Sequence, residues 1–205
     1  ISMGPPGSKR AIFEALSMGC DEGILLTDAV FAGSDTLATS YILSKAVEDL
    51  DGYDIILTGI RATDGDTGQV GPGLAAKLDI PLATFVSKVK ADADSVTVMR
   101  LVEGGYERVK LPLPCLVTVV NDQSFPRIPT LKGKQSAREK VIKVMGAADL
   151  GLDLSRIGLQ GSPTKVTKIM YPKQIRTGKK IFVKELGVDE SVDQLIAFMQ
   201  KKDFL

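Results

Sequence analysis

Short apolar runs alternate with stretches of helical periodicity through residues 1–78, and this alternation limits the folds available to the chain more than any other feature. The runs "GILLT" (23–27) and "YDIILTG" (53–59) are bounded by turn residues, as buried parallel strands are. Residues 34–50 and 69–78 carry apolar side chains at helical spacing. Strands that alternate with helices form parallel sheets covered by helices. The sequence therefore predicts an α/β fold with a doubly wound parallel sheet.

The pattern changes between residues 83 and 120, where valines and threonines alternate with polar residues. Gly104 and Gly105 mark a hairpin turn inside this stretch. We expect an antiparallel hairpin excursion from 83 to about 111, followed by a return strand at 115–120.

Core signals weaken beyond residue 123. Residues 126–145 open with a proline-bounded loop and continue as a short basic helix, and residues 189–202 read as a C-terminal amphipathic helix. A tail with so little apolar periodicity buries little of itself, so we expect an extended C-terminal arm that lies on a partner. The opening "ISMGPPGSKR" resembles the end of a strand and the turn after it, which leads us to expect that the N-terminal part of the domain is missing.

Composition excludes several classes of function. The chain has no histidine, which removes nucleophile systems that depend on this residue and argues against a transition-metal site. The net charge of +1 does not favour nucleic-acid binding, and the sequence shows neither a membrane span nor a signal peptide. Cys20 and Cys115 are isolated in apolar surroundings, which predicts buried thiols and a reducing, cytoplasmic location.

The stretch "GIRATDGDTGQVGP" (59–72) is the strongest candidate for a binding site. In open α/β sheets, ligands bind beyond the carboxyl ends of the strands, where this loop, Gly4 and the 27–33 loop would lie. The loop leads into a helix whose free N–H groups favour an anion. Gly65 and Gly68 would let backbone amides approach a phosphate closely.

Side chains of the same loop suggest further roles. Thr67 and Gln69 can donate hydrogen bonds, and Arg61 can supply positive charge. Asp64 and Asp66 would repel a phosphate, so they suit helix capping, ribose hydroxyls or organisation of the loop. The stretch matches neither the P-loop nor the GxGxxG pattern, and a solvated turn is the alternative.

The basic stretch 127–145 also has two interpretations. A solvated helix face with a flexible loop is one of them. No aromatic residue lies among the lysines, so stacking on single-stranded nucleic acid has no support. Leu131 beside Lys132 and Lys134 favours a protein-docking loop.

Three motifs in order, "DGDTGQVGP", "VEGGYERVKLPLPCLVTV" and "PRIPTLKGK", resemble the electron transfer flavoprotein beta subunit family. The likeness extends from "ISMGPP" through "AVFAGSDTLATS" (29–40) to "GSPTKV" (161–166). The resemblance implies a Rossmann-like, adenine-nucleotide-binding domain over 1–125. It also implies a partner-recognition loop and a C-terminal arm over 126–205, which pack on a larger alpha subunit in a heterodimer.

The resemblance implies a nucleotide at the loop that follows the 53–59 run, and no catalytic or metal-binding side chains. It also implies that a dehydrogenase docks through the loop around Leu131. The implied cofactor-binding residues are Met3, Gly4, Ala32, Thr36, Gly59, Ile60, Arg61, Ala62, Asp64, Gly65, Asp66, Thr67, Gly68, Gln69 and Val70. Ile60-Arg61 stands where a Lys-Gln or Arg-Gln pair is common in the family.

The resemblance leaves two alternatives for the nucleotide at this loop, AMP and FAD. Conventional family members hold AMP there, whereas electron-bifurcating members hold an FAD that accepts a hydride from NADH. The sequences "DGDTGQVGP" and "FAGSDTLATS" resemble the bifurcating, anaerobe-type branch, which implies FAD, NADH as electron donor, and ferredoxin or flavodoxin as a further partner. The alternatives are a conventional AMP-binding subunit and a non-redox nucleotide-binding module related to the universal stress proteins.

Overall fold

The structure is a computed structural model that describes residues 1–63, 65–121, 125–170, 178 and 180–204. It divides into two compact units, Ile1–Lys165 and Val166–Leu205. In chain order the strands and α-helices are β1 (Ser2–Met3), α1 (Lys9–Ser17), β2 (Gly23–Leu26), α2 (Thr36–Glu48), β3 (Ile55–Gly59), α3 (Val70–Leu78), β4 (Leu82–Ala91), β5 (Ser95–Val102), β6 (Gly105–Pro112), β7 (Cys115–Val119), α4 (Leu131–Glu139), β8 (Ile142–Met145), α5 (Gly158–Gly161), α6 (Val183–Leu186) and α7 (Val188–Lys201).

The smaller sheet of the first unit contains three parallel strands in the order β1–β2–β8. Leu25 and Leu26 on β2 are fully buried and face opposite sides, because neighbouring residues of a strand alternate. Leu26 belongs to a core with Tyr41 and Ile42 of α2, whereas Leu25 packs in a core with residues of α1. Helices therefore cover both faces of this sheet, as the uninterrupted apolar run predicts.

The larger sheet has five strands in the order β3–β7–β4–β5–β6. Strands β3, β7 and β4 are parallel, and β4, β5 and β6 are antiparallel. On β7, Leu116 packs against Leu74 and Ala75 of α3, while Val117 belongs to a core with Val96 and Val98 of β5. The expected excursion is therefore present, with Glu103 and Gly104 in the β5–β6 turn and Gly105 as the first residue of β6.

The sheet arrangement differs from the single doubly wound sheet that we expected. Strand β1 pairs with β2 and strand β3 pairs with β7, and β1 and β3 do not pair with each other. A hydrophobic pattern identifies a strand but does not indicate which other strand pairs with it. The sequence therefore did not predict that the strands divide into two sheets. The class itself is confirmed, since the fold is mixed α/β with one parallel and one mixed sheet.

The first unit also extends to Lys165, beyond the boundary near residue 125 that we expected. Strand β8 lies in the stretch for which only a loop and a basic helix were expected, and it pairs with β2 along its whole length. Met145, Leu152 and Ile157 are buried in the core beneath α2. Residues 142–157 therefore complete the α/β unit.

One expectation about the cysteines was wrong. Cys115 is completely buried on β7, but Cys20 is exposed, because it follows the end of α1 in the turn that leads to β2. Both are free thiols.

In the described part of the second unit, residues 183–186 and 188–201 are helical and residues 166–170 are not. Helix α7 follows α6 after Gly187, whose φ of +80° permits the sharp change of direction. Its Ser191 hydroxyl donates to the Gly187 carbonyl at 2.6 Å. Val192, Leu195 and Phe198 of α7 are exposed, so none of the described residues of the second unit covers the apolar face of this amphipathic helix. Among the described residues, no helix combines the length and apolar character needed to cross a membrane.

Candidate functional site

The predicted loop connects the carboxyl end of β3 to the first turn of α3. Gly59 is the last residue of β3, Val70 is the first residue of α3, and most of the intervening side chains are exposed. The Arg61 Nε atom lies 2.9 Å from the Asp66 Oδ1 atom, and the Asp66 amide donates to the Ala62 carbonyl at 3.0 Å. Asp66 therefore closes the loop on Arg61, although an ion pair this exposed contributes little to stability.

Two residues in the loop have left-handed backbone conformations. Asp66 has a φ of +51° and Gly68 a φ of +65°. A Cβ atom at position 68 would lie 3.5 Å from the Ile60 carbonyl oxygen, so the chain also returns close to its own start there. Aspartate tolerates this conformation better than most residues, and glycine adopts it without strain.

Helix α3 begins without a side-chain cap. Gln69 occupies the N-cap position but makes no capping hydrogen bond, and the Gly73 amide is bonded to the Gln69 carbonyl at 2.9 Å. Pro72 has no N–H group, so Val70 and Gly71 carry the free amides of the first turn. These amides and the positive end of the helix dipole make the turn suitable for an anion.

The base of this turn is packed against two threonines. A Cβ atom at Gly71 would lie 2.7 Å from the Thr118 Cγ2 atom and 3.0 Å from the Thr58 Oγ1 atom. The Thr118 hydroxyl accepts a hydrogen bond from the Phe85 amide at 3.1 Å. The Thr58 hydroxyl is buried and has no partner among the described residues, which is costly unless a ligand or water satisfies it. An orphaned hydroxyl beside an uncapped helix fits a polar ligand at this end of α3.

The other predicted residues lie at the ends of the smaller sheet. Met3 ends β1, and the Gly4 amide continues the pairing by donating to the Leu26 carbonyl at 3.0 Å. Ala32 is exposed in the loop after β2, and Thr36 is the first residue of α2. Asp64 lies outside the described residues. The described residues of 59–70 thus lie in and beside one loop, whereas Met3 and Gly4 lie at the end of β1, and Ala32 and Thr36 lie between β2 and the first turn of α2.

The polar residues that support these loops were not predicted from the sequence. Thr58 and Thr118 belong to apolar runs, where they read as strand formers, and only their registered pairing on β3 and β7 brings them together. Asp28 was also missed. Its carboxylate accepts hydrogen bonds from the amides of Ala147 and Val30, which hold the pKa of Asp28 below its ordinary value and fix the loop after β2 on the loop after β8.

The predicted docking residue has a different environment. Leu131 begins α4 with 88% of its surface exposed, and the Thr130 hydroxyl caps this helix through the Gly133 amide at 3.0 Å. Position 133 has no room for a side chain, because a Cβ atom there would lie 2.5 Å from the Ser17 carbonyl oxygen of α1. With Ala137 buried one turn later, α4 packs on α1 through its small residues and leaves Leu131 in solvent.

The part of the chain that the structure describes contains no cluster of three or more metal-ligating side chains. In its described residues, the predicted site offers backbone amides, hydroxyl groups and the exposed Arg61–Asp66 ion pair. Such a donor set suits a phosphate-containing ligand.

The sequence profile of the electron transfer flavoprotein domain matches residues 1–150. The chain is 45% identical over 197 residues to an electron transfer flavoprotein subunit beta of Thermoanaerobacterium thermosaccharolyticum, with 96% of this chain and 74% of the relative covered. It is 38% identical over 210 residues to the acryloyl-CoA reductase electron transfer subunit gamma of Anaerotignum propionicum, covering 98% and 77%.

A third relative is the caffeyl-CoA reductase-Etf complex subunit CarD of Acetobacterium woodii, which is 35% identical over 205 residues, covering 100% of this chain and 78% of the relative. The residues matched by the family profile, 1–150, include α3 with the loop before it, and α4. The chain belongs to the electron transfer flavoprotein beta subunit family and is similar to its members from anaerobic bacteria.

Proposed function

We propose that the chain binds FAD through the 59–70 loop in a Rossmann-like, adenine-nucleotide-binding domain. With an alpha subunit, it would take electrons from NADH and bifurcate them between a low-potential carrier and an acyl-CoA or related dehydrogenase. The observation that carries the proposal is the uncapped first turn of α3, whose free amides at Val70 and Gly71 lie at the end of the loop. Bound FAD would supply the exchange between a two-electron hydride donor and one-electron carriers.

The residues of this chain would bind and orient the cofactor. The amides of the first turn of α3 would face the phosphates, with Thr67 and Gln69 exposed beside them as additional donors. Gly65 and Gly68 would keep the approach free of side chains, and Gly68 already has the backbone conformation that only glycine adopts without strain. No side chain of this loop is assigned a proton-transfer role.

The residues on the smaller sheet would contact other parts of the same cofactor. Met3 and Gly4 end β1, and Ala32 and Thr36 flank the start of α2. Their backbone amides and the Thr36 hydroxyl would give hydrogen bonds that influence the flavin potential.

The partner proposal rests on exposed surface and on the relatives. Leu131 is an apolar residue in solvent at the start of a basic helix, as an anchor for another protein would be. The names of two relatives refer to acryloyl-CoA reductase and caffeyl-CoA reductase. We therefore propose a dehydrogenase of the acyl-CoA class as the docking partner at Leu131, and ferredoxin or flavodoxin as the low-potential carrier.

The second unit would bind the alpha subunit. Val166, Ile169 and Met170 expose 82%, 77% and 71% of their surface, and α7 has an apolar face. Apolar surface of this extent is typical of a segment that is covered in a complex. The two free cysteines support a cytoplasmic location for this heterodimer.

A conventional AMP-binding subunit is the second candidate. The first turn of α3 offers the amides of Val70 and Gly71, which suffice for a single phosphate group. In this case the nucleotide would be structural, and the electrons would pass only through the alpha subunit.

Nucleotide analysis distinguishes the two candidates. The chain is co-expressed with its alpha subunit, the purified complex is denatured, and the released nucleotides are quantified by chromatography. Two FAD per heterodimer without AMP is the expected result, and NADH reduction of the complex then tests the electron donor. One FAD with one AMP would overturn the bifurcating assignment, and a nucleotide content equal to that of the alpha subunit alone would overturn nucleotide binding by this chain.

A further inference from the structure

One carboxylate joins the start of α2 to the last residues of the first unit. The Asp35 Oδ1 atom caps the helix by accepting from the amides of Leu37 at 3.0 Å and Ala38 at 3.1 Å. The Asp35 Oδ2 atom accepts from the Thr164 amide at 3.0 Å and from the Thr164 hydroxyl at 2.8 Å. The two oxygens therefore serve different segments, and the carboxylate connects them.

Three more hydrogen bonds join the same two segments. The Gly158 amide donates to the Ser34 hydroxyl at 2.9 Å, and the Asp35 amide donates to the Ser162 hydroxyl at 2.8 Å. The buried Ser162 hydroxyl also donates to the Gly33 carbonyl at 3.2 Å, in addition to its bond to the Gly158 carbonyl at 2.6 Å within its own segment. We call residues 33–35 together with residues 158–164 the Asp35 latch.

The backbones of the latch also fit each other closely. Gly158 has a φ of +63°, and a Cβ atom there would overlap the Val30 carbonyl oxygen. Gly33 has a φ of +77°, and a Cβ atom there would lie 2.5 Å from the Leu159 Cδ2 atom. A side chain at either glycine would separate the segments, so their contact depends on both shape and hydrogen bonding.

The latch lies between two elements of the proposed function. Thr36, which we propose as a cofactor contact, directly follows Asp35, and Thr164 lies two residues before Val166, the first residue of the second unit. We infer that Asp35 is a positioning residue, which holds the cofactor-side loop 32–36 in place by anchoring it to the root of the partner-binding arm. This inference rests on the proposed function.

The charge of Asp35 contributes to its anchoring role. Burial opposes ionisation, but hydrogen bonds from the Ala38 amide and from Thr164 outweigh it, so the pKa of Asp35 lies below its ordinary value. The group is therefore ionised at neutral pH, and its bonds to Thr164 are charge-assisted.

Asp35→Asn distinguishes the role of the Oδ1 atom, which caps α2, from that of the Oδ2 atom, which accepts from Thr164. The amide oxygen can still cap α2, whereas the NH2 group would face the two donors of Thr164. Asp153→Asn is the matched control, because the Asp153 Oδ1 atom accepts from the Ser155 amide at 2.9 Å and hydroxyl at 2.7 Å, outside the latch. Both changes remove one negative charge from a capping carboxylate.

The test uses the purified complex with the alpha subunit. Hydrogen exchange of the peptide covering 157–165 reports the latch, and chromatography of retained FAD and AMP after dilution reports the cofactor. For Asp35→Asn we expect both exchange and nucleotide release to accelerate about tenfold, since charged hydrogen bonds are lost. Asp153→Asn should match the wild type in both measurements.

Each other outcome has a defined meaning. Faster exchange with unchanged nucleotide release would show that the latch is only structural and would overturn the inference, while nucleotide binding stands. A wild-type complex without nucleotide on this chain would overturn the proposed function and the inference together. If Asp35→Asn prevents assembly, Thr164→Val removes the hydroxyl donor alone. If nucleotide release accelerates in Thr164→Val and returns to the wild-type rate in Thr164→Ser, the inference is supported. Equal rates of release in the two variants would overturn it.

Discussion

Ser40 of α2 and Gly73 of α3 are in such close contact that a Cβ atom at position 73 would lie 2.5 Å from the Ser40 hydroxyl oxygen. The same hydroxyl donates to the Thr36 carbonyl at 2.6 Å. This contact sets the distance between α2, which follows β2 of the smaller sheet, and α3, which follows the candidate loop. The two parts of the proposed binding site are therefore held together through these helices.

Gly73→Ala should destabilise the protein, although alanine normally favours a helix over glycine. The added methyl group has no space beside Ser40, and overpacking of this kind costs about 1–3 kcal/mol. Chemical denaturation measures the free energy of unfolding. Gly7→Ala is the control, because nothing lies within 4 Å of a Cβ atom there. Unchanged stability of Gly73→Ala would show that α2 and α3 separate easily.

Asp66→Asn should tighten nucleotide binding by roughly threefold, because it releases Arg61 and removes a negative charge near the phosphate site. Asparagine tolerates the φ of +51°, so the loop should keep its backbone. Isothermal titration with AMP and FAD measures the affinity. Asp79→Asn provides a matched control at the other end of α3, where Asp79 has a φ of +53°. Weaker binding in Asp66→Asn would instead indicate that this carboxylate accepts hydrogen bonds from the ribose.

Leu131→Ala should lower the rate of electron transfer to the dehydrogenase by tenfold or more without loss of stability. The side chain is 88% exposed, so its removal costs the fold nothing, whereas an interface anchor contributes about 2 kcal/mol. Steady-state kcat/KM with the dehydrogenase as the varied substrate measures the effect. Val141→Ala removes an equally exposed apolar side chain, at 89%, just beyond the same helix. Equal losses in the two variants would exclude Leu131 as a specific anchor.

The two cysteines should react with a thiol reagent at very different rates. Cys20 is exposed, whereas Cys115 is completely buried and its burial raises the pKa of the thiol, so less thiolate forms at a given pH. With Ellman's reagent we expect one fast thiol in the folded protein and the second only after denaturation. Cys20→Ser should abolish the fast phase. A fast phase that persists would mean that β7 opens readily.

The sequence predicts local elements far better than their assembly. The apolar runs at 23–27 and 53–59 and the helices at 34–50 and 69–78 appear in the structure within a few residues. Strand β8 was missed because its four residues lie in a basic stretch where charge dominates the pattern. Pairing of distant segments leaves no local signal.

The same limit applies to the sites. The polar character of the 59–70 loop is visible in its glycines and aspartates, but the orphaned hydroxyl of Thr58 at the end of β3 is not. The Asp35 latch joins positions 129 residues apart, and nothing near Asp35 in the sequence distinguishes it from an ordinary helix cap. Nonlocal polar contacts of this kind require the folded chain to be seen.

The pairing of β2 with β8 has a consequence for the order in which the protein folds. Gly23 is in register with Ile142, and Met145, Leu152 and Ile157 complete the core on which α2 packs. The larger sheet uses only strands between residues 55 and 119. Contacts between distant residues form slowly, because the long chain between them must first be closed into a loop. The larger sheet can therefore form before β8 pairs with β2 in the smaller sheet. On the ribosome, β2 would therefore emerge long before β8, the strand with which it pairs along its whole length.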